Sequence, residues 1–474
     1  MPSSTPDAAP LPTPSPTPLR TPWLALLSVA LGASLAPLDA SVNAAFPSII
    51  SAFERPIADI RWVIIVYVLT YASLPLVFGR AGDVFGHRRV FLLGLMWSAI
   101  AYLGCALASQ FHWLLLARIN QGVGSALILA TGPALVTLTL PVEQRTRGIA
   151  LYTFAFATSQ ALGPLIGGAL VQWFDWPAVF WMRIPIAVVA IVMIFAWVPA
   201  PPLAQTRAAA KARFDPFSGI ALALGLAATL LVLGQGAHFG WTSPITAALA
   251  LTGAAMLWLF FRRQRDPDRR LIDLGLFRDR AFAVANLCNA LLNASFFMVM
   301  LLVPFYLQRA HGGSGVMLLT LAPLGFAVGS PLAERALKRY SAHHVCVAAL
   351  ALCVLALAAI AAWPERGQVM WIATVLLLVG IGYGLFQVAV LDQVMGHLSR
   401  DDQGVAGSLH TVTRTAGVVL GVSAGSALFD SLEAAGFINA FSTVFQAACA
   451  LAVLNLALMT LCGRRKRNQG SVTK

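Results

Sequence analysis

The sequence predicts an all-α polytopic membrane protein, and three observations carry that prediction. The 474 residues are 58% hydrophobic and only 11% charged, with a mean hydropathy of +0.78, a composition far from that of a soluble globular chain. About fourteen apolar runs are long enough to cross a hydrocarbon core. Lysine and arginine concentrate in alternate loops, as the positive-inside rule requires. Runs that are apolar on every face belong to a helical bundle in lipid, because helices satisfy their own backbone groups where water is absent.

Residues 1–22 form a Pro/Ser/Thr tract that cannot bury enough apolar surface to fold. The tract lacks the basic start and cleavage site of a signal peptide and is expected to remain as a disordered cytosolic tail. The runs then follow at 23–47, 60–79, 90–108, 113–138, 148–173, 178–198, 217–237, 244–261, 282–307, 315–333, 344–363, 370–391, 405–429 and 440–462. They group into six spans over 23–198, a linker with two additional spans over 199–281, and six spans over 282–462, with a basic cytosolic tail over 463–474. With the N-terminus inside, roughly 25 of the 32 Lys and Arg residues fall on the cytosolic side, about 4 outside (Arg55, Arg61, Arg309, Arg366) and three within spans (Arg118, Arg183, Arg414). Both ends therefore lie in the cytosol, and the even span count agrees.

The first run, Trp23 to Ile50, holds one carboxylate, Asp39, two residues after Pro37. A helix entered at Trp23 has climbed roughly 24 Å by Asp39, most of the way across a core about 30 Å thick. A charge at that depth must face a cavity or a partner, which makes Asp39 the first functional candidate. The other reading ends the helix at Pro37 and leaves Asp39 in a wetted outer loop. Arg118 lies about 8 Å inside the fourth span and Asp39 about 6 Å short of the outer face, so a direct or water-bridged pair lowers both burial costs. Proton arrival at Asp39 would then loosen its hold on Arg118. If the arginine dominates instead, Asp39 is a structural counter-ion.

Other function classes find little support. The net charge of +13 reads as topology anchors at an anionic leaflet, in the tail Arg464, Arg465, Lys466, Arg467 and the loop 262–280, and no nucleic-acid partner is implied. The six cysteines, Cys105, Cys288, Cys346, Cys353, Cys449 and Cys462, form no CxxC pair, so neither metal nor disulfide framework is expected. No phosphate-binding Gly-Lys loop, zinc-binding histidine pair or nucleophile elbow is present; no cofactor or catalytic residue is expected, and the chain does not read as an enzyme.

Gly79-Arg80-Ala81-Gly82-Asp83, followed by Gly86-His87-Arg88-Arg89, has a loose counterpart in Gly329 to Arg335 and Lys338-Arg339, a sign of internal duplication. The first copy resembles the cytosolic loop signature of the major facilitator superfamily. Leu38 to Asn43 with Pro47 resembles the first-helix motif of its fourteen-helix drug:proton antiporters. Arg118 to Gly124 resembles their fourth-helix motif, and Gly163, Pro164, Gly167 and Gly168 the fifth-helix motif that marks antiporters. Leu271 to Leu274 with Leu276 to Arg278 resembles the start of the ninth span in that group, and Arg414 with Gly417 and Gly421 its thirteenth. Two departures stand out: Arg183 occupies a position where the antiporters carry asparagine, and Thr415 one where they carry glutamine.

The resemblance implies the major facilitator fold, two pseudo-symmetric six-helix halves with two extra central helices, fourteen transmembrane helices in all. It implies a multi-pass protein of the cell inner membrane that exports small amphipathic or drug-like compounds by proton antiport. The alternative is a transporter of one metabolite or organic anion. Partners are then the small-molecule substrate, protons and membrane lipid, with a periplasmic adaptor left open. Asp39 and Arg118 are expected to couple protons, and Gly79, Asp83, Gly86, Arg88 and Arg89 to form a cytosolic gating loop in which Asp83 pairs with Arg88. Asn43, Gln121, Arg183 and Arg414 are expected to line the substrate cavity. Phe154, Phe156, Phe296, Phe297, Met298 and Met300 either soften that cavity or pack against helices and lipid.

Overall fold

The structure, a computed structural model, describes residues 22–55, 59–141, 144–199, 215–266, 275, 279–311, 318, 320–364, 367–396, 403–432, 434 and 436–470. The Pro-rich tail up to residue 21, the stretches 271–274 and 276–278 and the side chains of Arg464 to Arg467 lie outside the described residues. Among the described residues there is no strand.

The first apolar run does not form one helix. Helix α1 (Pro22–Ser34) ends before a 3-10 segment (Pro37–Ala45), and α2 (Phe46–Phe53) continues it. Pro37 and Pro47 supply the reason. Proline has no N–H to give to the preceding turn but suits the first position of a new one, and each sits at the start of its segment. The second run also breaks. Helix α3 (Ile60–Ser73) meets α4 (Pro75–Phe85) at an angle of 44°, again with proline at the start of the second piece.

The others follow as α5 (His87–Ala106), α6 (Phe111–Thr139), α7 (Arg145–Phe174), the short α8 (Ala178–Trp181) and α9 (Arg183–Trp197). Then come α10 (Pro216–Phe239), α11 (Pro244–Arg263), α12 (Arg280–His311), α13 (Leu321–Leu337) and α14 (Ala342–Ala361), followed by α15 (Val369–Gly396), α16 (Gln403–Leu432) and α17 (Phe437–Gly470). Among the described residues twelve helical stretches, the broken first run included, are long and apolar enough to cross a membrane, and the bent α3–α4 pair makes up to thirteen. The run expected at 315–333 overlaps α13, a helix of 17 residues that is not among them. Large apolar side chains cover the outside of the bundle, with Ile100, Leu251, Leu355 and Met370 each at least 69% exposed. Such a surface suits lipid and would aggregate in water.

The helices sort into two groups. In the first, α5 packs on α6, α3 on α6, and α1 and α5 on α9. In the second, α13 packs on α15, α12 on α16 and α17, and α14 on α15 and α17. The α10–α11 pair is clipped at one end, where Arg263 donates to Asp215 Oδ2 from Nε (3.1 Å) and Nη2 (2.9 Å), and α10 leans on both α3 and α16. The two groups meet where α7 lies against α13 and α15, and α16 against α4 and α6. Polar contacts cross that seam: Thr146 donates to Asp392 Oδ1 at 2.9 Å, Arg147 lies 3.9 Å from Glu334, and Ser408 donates to the Ala130 carbonyl at 3.4 Å.

Candidate functional site

The 3-10 segment carries Asp39, and α7 holds that segment in place. Gly163 faces the Ser41 amide and the Leu38 carbonyl, and Gly167, one turn on, lies directly against Ser41. A Cβ at Gly167 would run into the Ser41 carbonyl oxygen and stand 2.8 Å from its Cα, whereas one at Gly168 would meet nothing within 4 Å. Small residues one turn apart let two backbones approach closely. In this chain the approach belongs to the segment bearing the buried acid. Pro164 lies inside the helix, which runs unbroken from Arg145 to Phe174. Gly167→Leu is therefore expected to destabilise the protein by about 1–3 kcal/mol through overpacking, while Gly168→Ala leaves the melting temperature unchanged. A thermal melt of both purified variants checks the contrast.

So positioned, Asp39 meets three side chains from other spans. Arg118 of α6 approaches both carboxylate oxygens, Nη1 to Oδ1 at 2.6 Å and Nη2 to Oδ2 at 2.8 Å. Gln121, one turn further along α6, donates to Oδ1 at 2.8 Å and accepts from Arg118 Nη1 at 2.7 Å. Arg183, the first residue of α9, donates to Oδ1 at 2.9 Å. The second bonds of each arginine lock the arrangement. Arg118 Nε donates to the Val63 carbonyl at 3.0 Å, and Arg183 Nη2 to Ser41 Oγ at 2.7 Å and the Leu38 carbonyl at 3.2 Å. Aromatic faces complete the shell: the Arg118 guanidinium lies 4.3 Å over Tyr67, and that of Arg183 5.5 Å from both Tyr102 and Phe180. Arg118 and Arg183 are the two bulkiest fully buried side chains among the described residues, at 1% and 0% exposed. Two cations share one anion, so the cluster holds a surplus positive charge away from bulk water.

Asn43 does not join it. That side chain is exposed on the 3-10 segment, and only its carbonyl is used, accepting from the Phe46 amide. Arg414 stands elsewhere too, on α16, half-buried, with its guanidinium 4.3 Å over the Phe156 ring of α7. Phe154 points outward, while Phe296 stacks on Tyr383 at 4.0 Å and Met298 is buried.

The glycine-rich loop differs from the expectation. Gly79, Gly82 and Asp83 lie within α4, and the turn is the single residue Gly86, whose φ of +94° favours glycine. That turn sets His87 four residues from Asp83 and facing it, Nε2 to Oδ1 at 3.2 Å. Arg88, the expected partner, is carried round to the next helix and donates to the Phe195 carbonyl at 3.4 Å, with its guanidinium 5.4 Å from the Phe195 ring. Arg89 is exposed. The loop thus ties α5 to α9, a link within the first group.

Two sets of polar residues escaped the sequence reading. Asn286, Asn289 and Asn293 form a buried ladder on one face of α12. Asn289 donates to Thr413 Oγ1 and the His410 carbonyl, both at 3.0 Å, and Tyr383 donates to Asn293 Oδ1 at 2.6 Å. Their signal was three asparagines spaced 3 and 4 apart in an apolar run. Asp392 lies one residue beyond the run drawn at 370–391, at the seam.

A helical bundle with an apolar exterior, two helix groups meeting along a polar-stapled seam and charges buried between spans defines a membrane transport protein. The family description for the Major Facilitator Superfamily matches residues 23–422, and the chain belongs to that family. Riboflavin transporter RibZ of Clostridioides difficile is 26% identical over 411 residues, covering 86% of this chain and 88% of its own. The methylenomycin A resistance protein of Streptomyces coelicolor is 29% identical over 408 residues, covering 84% of each chain. Among solved structures, the proton:xylose symporter XylE superposes with a TM-score of 0.68 at 12% identity, over 92% of this chain and 95% of that one, a likeness of fold alone. Members of this family are transporters and not enzymes.

Proposed function

We propose that the protein exports small amphipathic compounds across the cell inner membrane in exchange for protons, by alternating access of the two helix groups. The observation that carries the reading is Asp39, a carboxylate inside the first span gripped by arginines from two other spans. Burying such a group without a use costs stability, so intramembrane acids mark ion and substrate pathways. Kinship with a protein named for antibiotic resistance supports export, and kinship with a riboflavin transporter supports a second reading, a carrier for one metabolite or organic anion. The halves are taken as 23–198 and 282–462, with α10 and α11 added between them and α13 counted as a span. Basic residues place both termini in the cytosol. The stapled face of the seam, with Arg145, Arg147, Glu334 and Asp392, is then cytosolic, and this conformer is closed toward the cytosol. Asp83 and Gly86 act in this reading as the hinge of the cytosolic loop.

The test is proton movement evoked by substrates in reconstituted vesicles, screened over cationic, neutral and anionic compounds. Exchange predicts that at least one class acidifies the lumen when driven outward and that Asp39→Asn loses the response; coupling unchanged in that variant rejects the role of Asp39.

A further inference from the structure

We propose that the compound carried is an organic anion with a flat apolar body, its charge held by Arg414 at the seam. This deepens the transport reading above and rests on it. Three arginines lie within spans, and the aspartate beside two of them is already taken. Asp39 is shared by Arg118 and Arg183, while no carboxylate pairs with Arg414 among the described residues. A guanidinium inside a membrane protein is costly unless it faces a partner or a wet cavity. Arg414 faces the ring of Phe156 at 4.3 Å, from the opposite helix group, and bonds to the Tyr383 hydroxyl on its own side of the seam, with no anion among the described residues to balance its charge.

The surroundings are those of a receptor for an aromatic anion. Tyr71 and Tyr152 of the first group and Tyr383 and His410 of the second lie within electrostatic reach of Arg414. Tyr383 is stacked on Phe296 and fixed by its bond to Asn293, so its face is rigid. One turn along α15, Gln387 is buried with its Nε2 donor unpartnered, and the Nδ1 of buried His410 is likewise unpartnered. A carboxylate or sulfonate seated on Arg414 meets the charge, accepts from the idle amide of Gln387, and lays its apolar body against the tyrosines. A cation of the same shape would meet two surplus positive charges, one at Arg414 and one in the Asp39 cluster. The same tyrosines join the two sites: Tyr71 packs on Tyr67 at 5.1 Å, and Tyr67 lies under Arg118.

Three probes of one shape decide the matter: naphthoate, naphthamide and naphthylmethyl-trimethylammonium, titrated calorimetrically into the purified full-length protein, wild type, Arg414→Gln and Arg414→Lys. Naphthoate is expected to bind about tenfold or more tighter than either of the others, Arg414→Gln to lose about that factor for naphthoate alone, and Arg414→Lys to keep most of it. Equal or better binding of the amide or the cation, no naphthoate binding, or naphthoate binding untouched by Arg414→Gln overturns the proposal. Should Arg414→Gln fail to fold, the ranking of the probes on the wild-type protein still decides. Proton movement is measured separately in vesicles: naphthoate that binds through Arg414 but moves no proton removes the exchange reading and leaves the anion site standing.

Discussion

Replacing Asp39 by Asn is expected to abolish coupled transport and to lower the melting temperature of the purified protein while leaving it inserted. The amide keeps the shape and removes the charge, so two buried guanidiniums lose the anion they share. Breaking a buried pair from one side costs about 3–5 kcal/mol, because what remains is an uncompensated charge in a low-dielectric interior. Arg118→Met should be nearly as damaging, and the double variant no worse than Asp39→Asn alone, since groups that act as one unit do not add. A further double variant separates structure from coupling. Asp39→Asn combined with Arg183→Met removes one of the two stranded cations and should recover part of the lost melting temperature. If Asp39 only balances charge, transport returns with the stability. If Asp39 carries the proton, the double variant melts higher than Asp39→Asn and still moves no protons against substrate. Four donors reach one carboxylate in this conformer, three of them at Oδ1. Proton loading therefore requires one arginine to withdraw, which a rocking of α6 or α9 against the 3-10 segment would accomplish.

Much of this site was legible in the sequence, and the part that was not has a physical reason. Counting rise per residue from the ends of two runs placed Asp39 and Arg118 at one depth, whereas Arg183 was read as lining the cavity and its bond to Asp39 was not foreseen. Depth is a property of each helix alone, so one sequence suffices to estimate it. Gly163 and Gly167 stand one turn apart in the sequence, a spacing that allows close approach, but the occupant of that face was not legible, because which backbone lies there is settled by packing between distant segments. The break at Pro37 was weighed as a loop; instead the chain continues as a 3-10 segment, which keeps Asp39 among its partners. At the glycine-rich loop, pairing by charge favoured Arg88 for Asp83, whereas helix geometry, with neighbours at i and i+4, gave it His87. The asparagine ladder on α12 was overlooked because uncharged amides barely alter a hydropathy average, although their spacing repeats on one helix face.

Joining the two helix groups across the seam is expected to stop transport altogether. Alternating access requires the stapled face to part, and its staples are weak: one hydroxyl to carboxylate bond at 2.9 Å between Thr146 and Asp392, and a long pair between Arg147, 58% exposed, and Glu334. Exposed pairs of that kind contribute about 0–1 kcal/mol each, so the closed face is held loosely enough to open in each cycle. A covalent link replaces them with a bond that thermal motion does not break. Cysteines at positions 146 and 392, in a background with the native cysteines replaced, and a short reducible bifunctional thiol reagent supply the link. Transport in vesicles should fall to the background of empty vesicles on cross-linking and return when the link is reduced. The same reagent applied to cysteines at 215 and 263, which join α10 to α11 where Asp215 and Arg263 meet, stays clear of the seam and should leave the rate close to that of the uncross-linked protein. Full cross-linking at 146 and 392 with undiminished transport would mean that the two groups do not separate there, and that the carrier opens along another line, with α10, which touches both α3 and α16, the next element to tether.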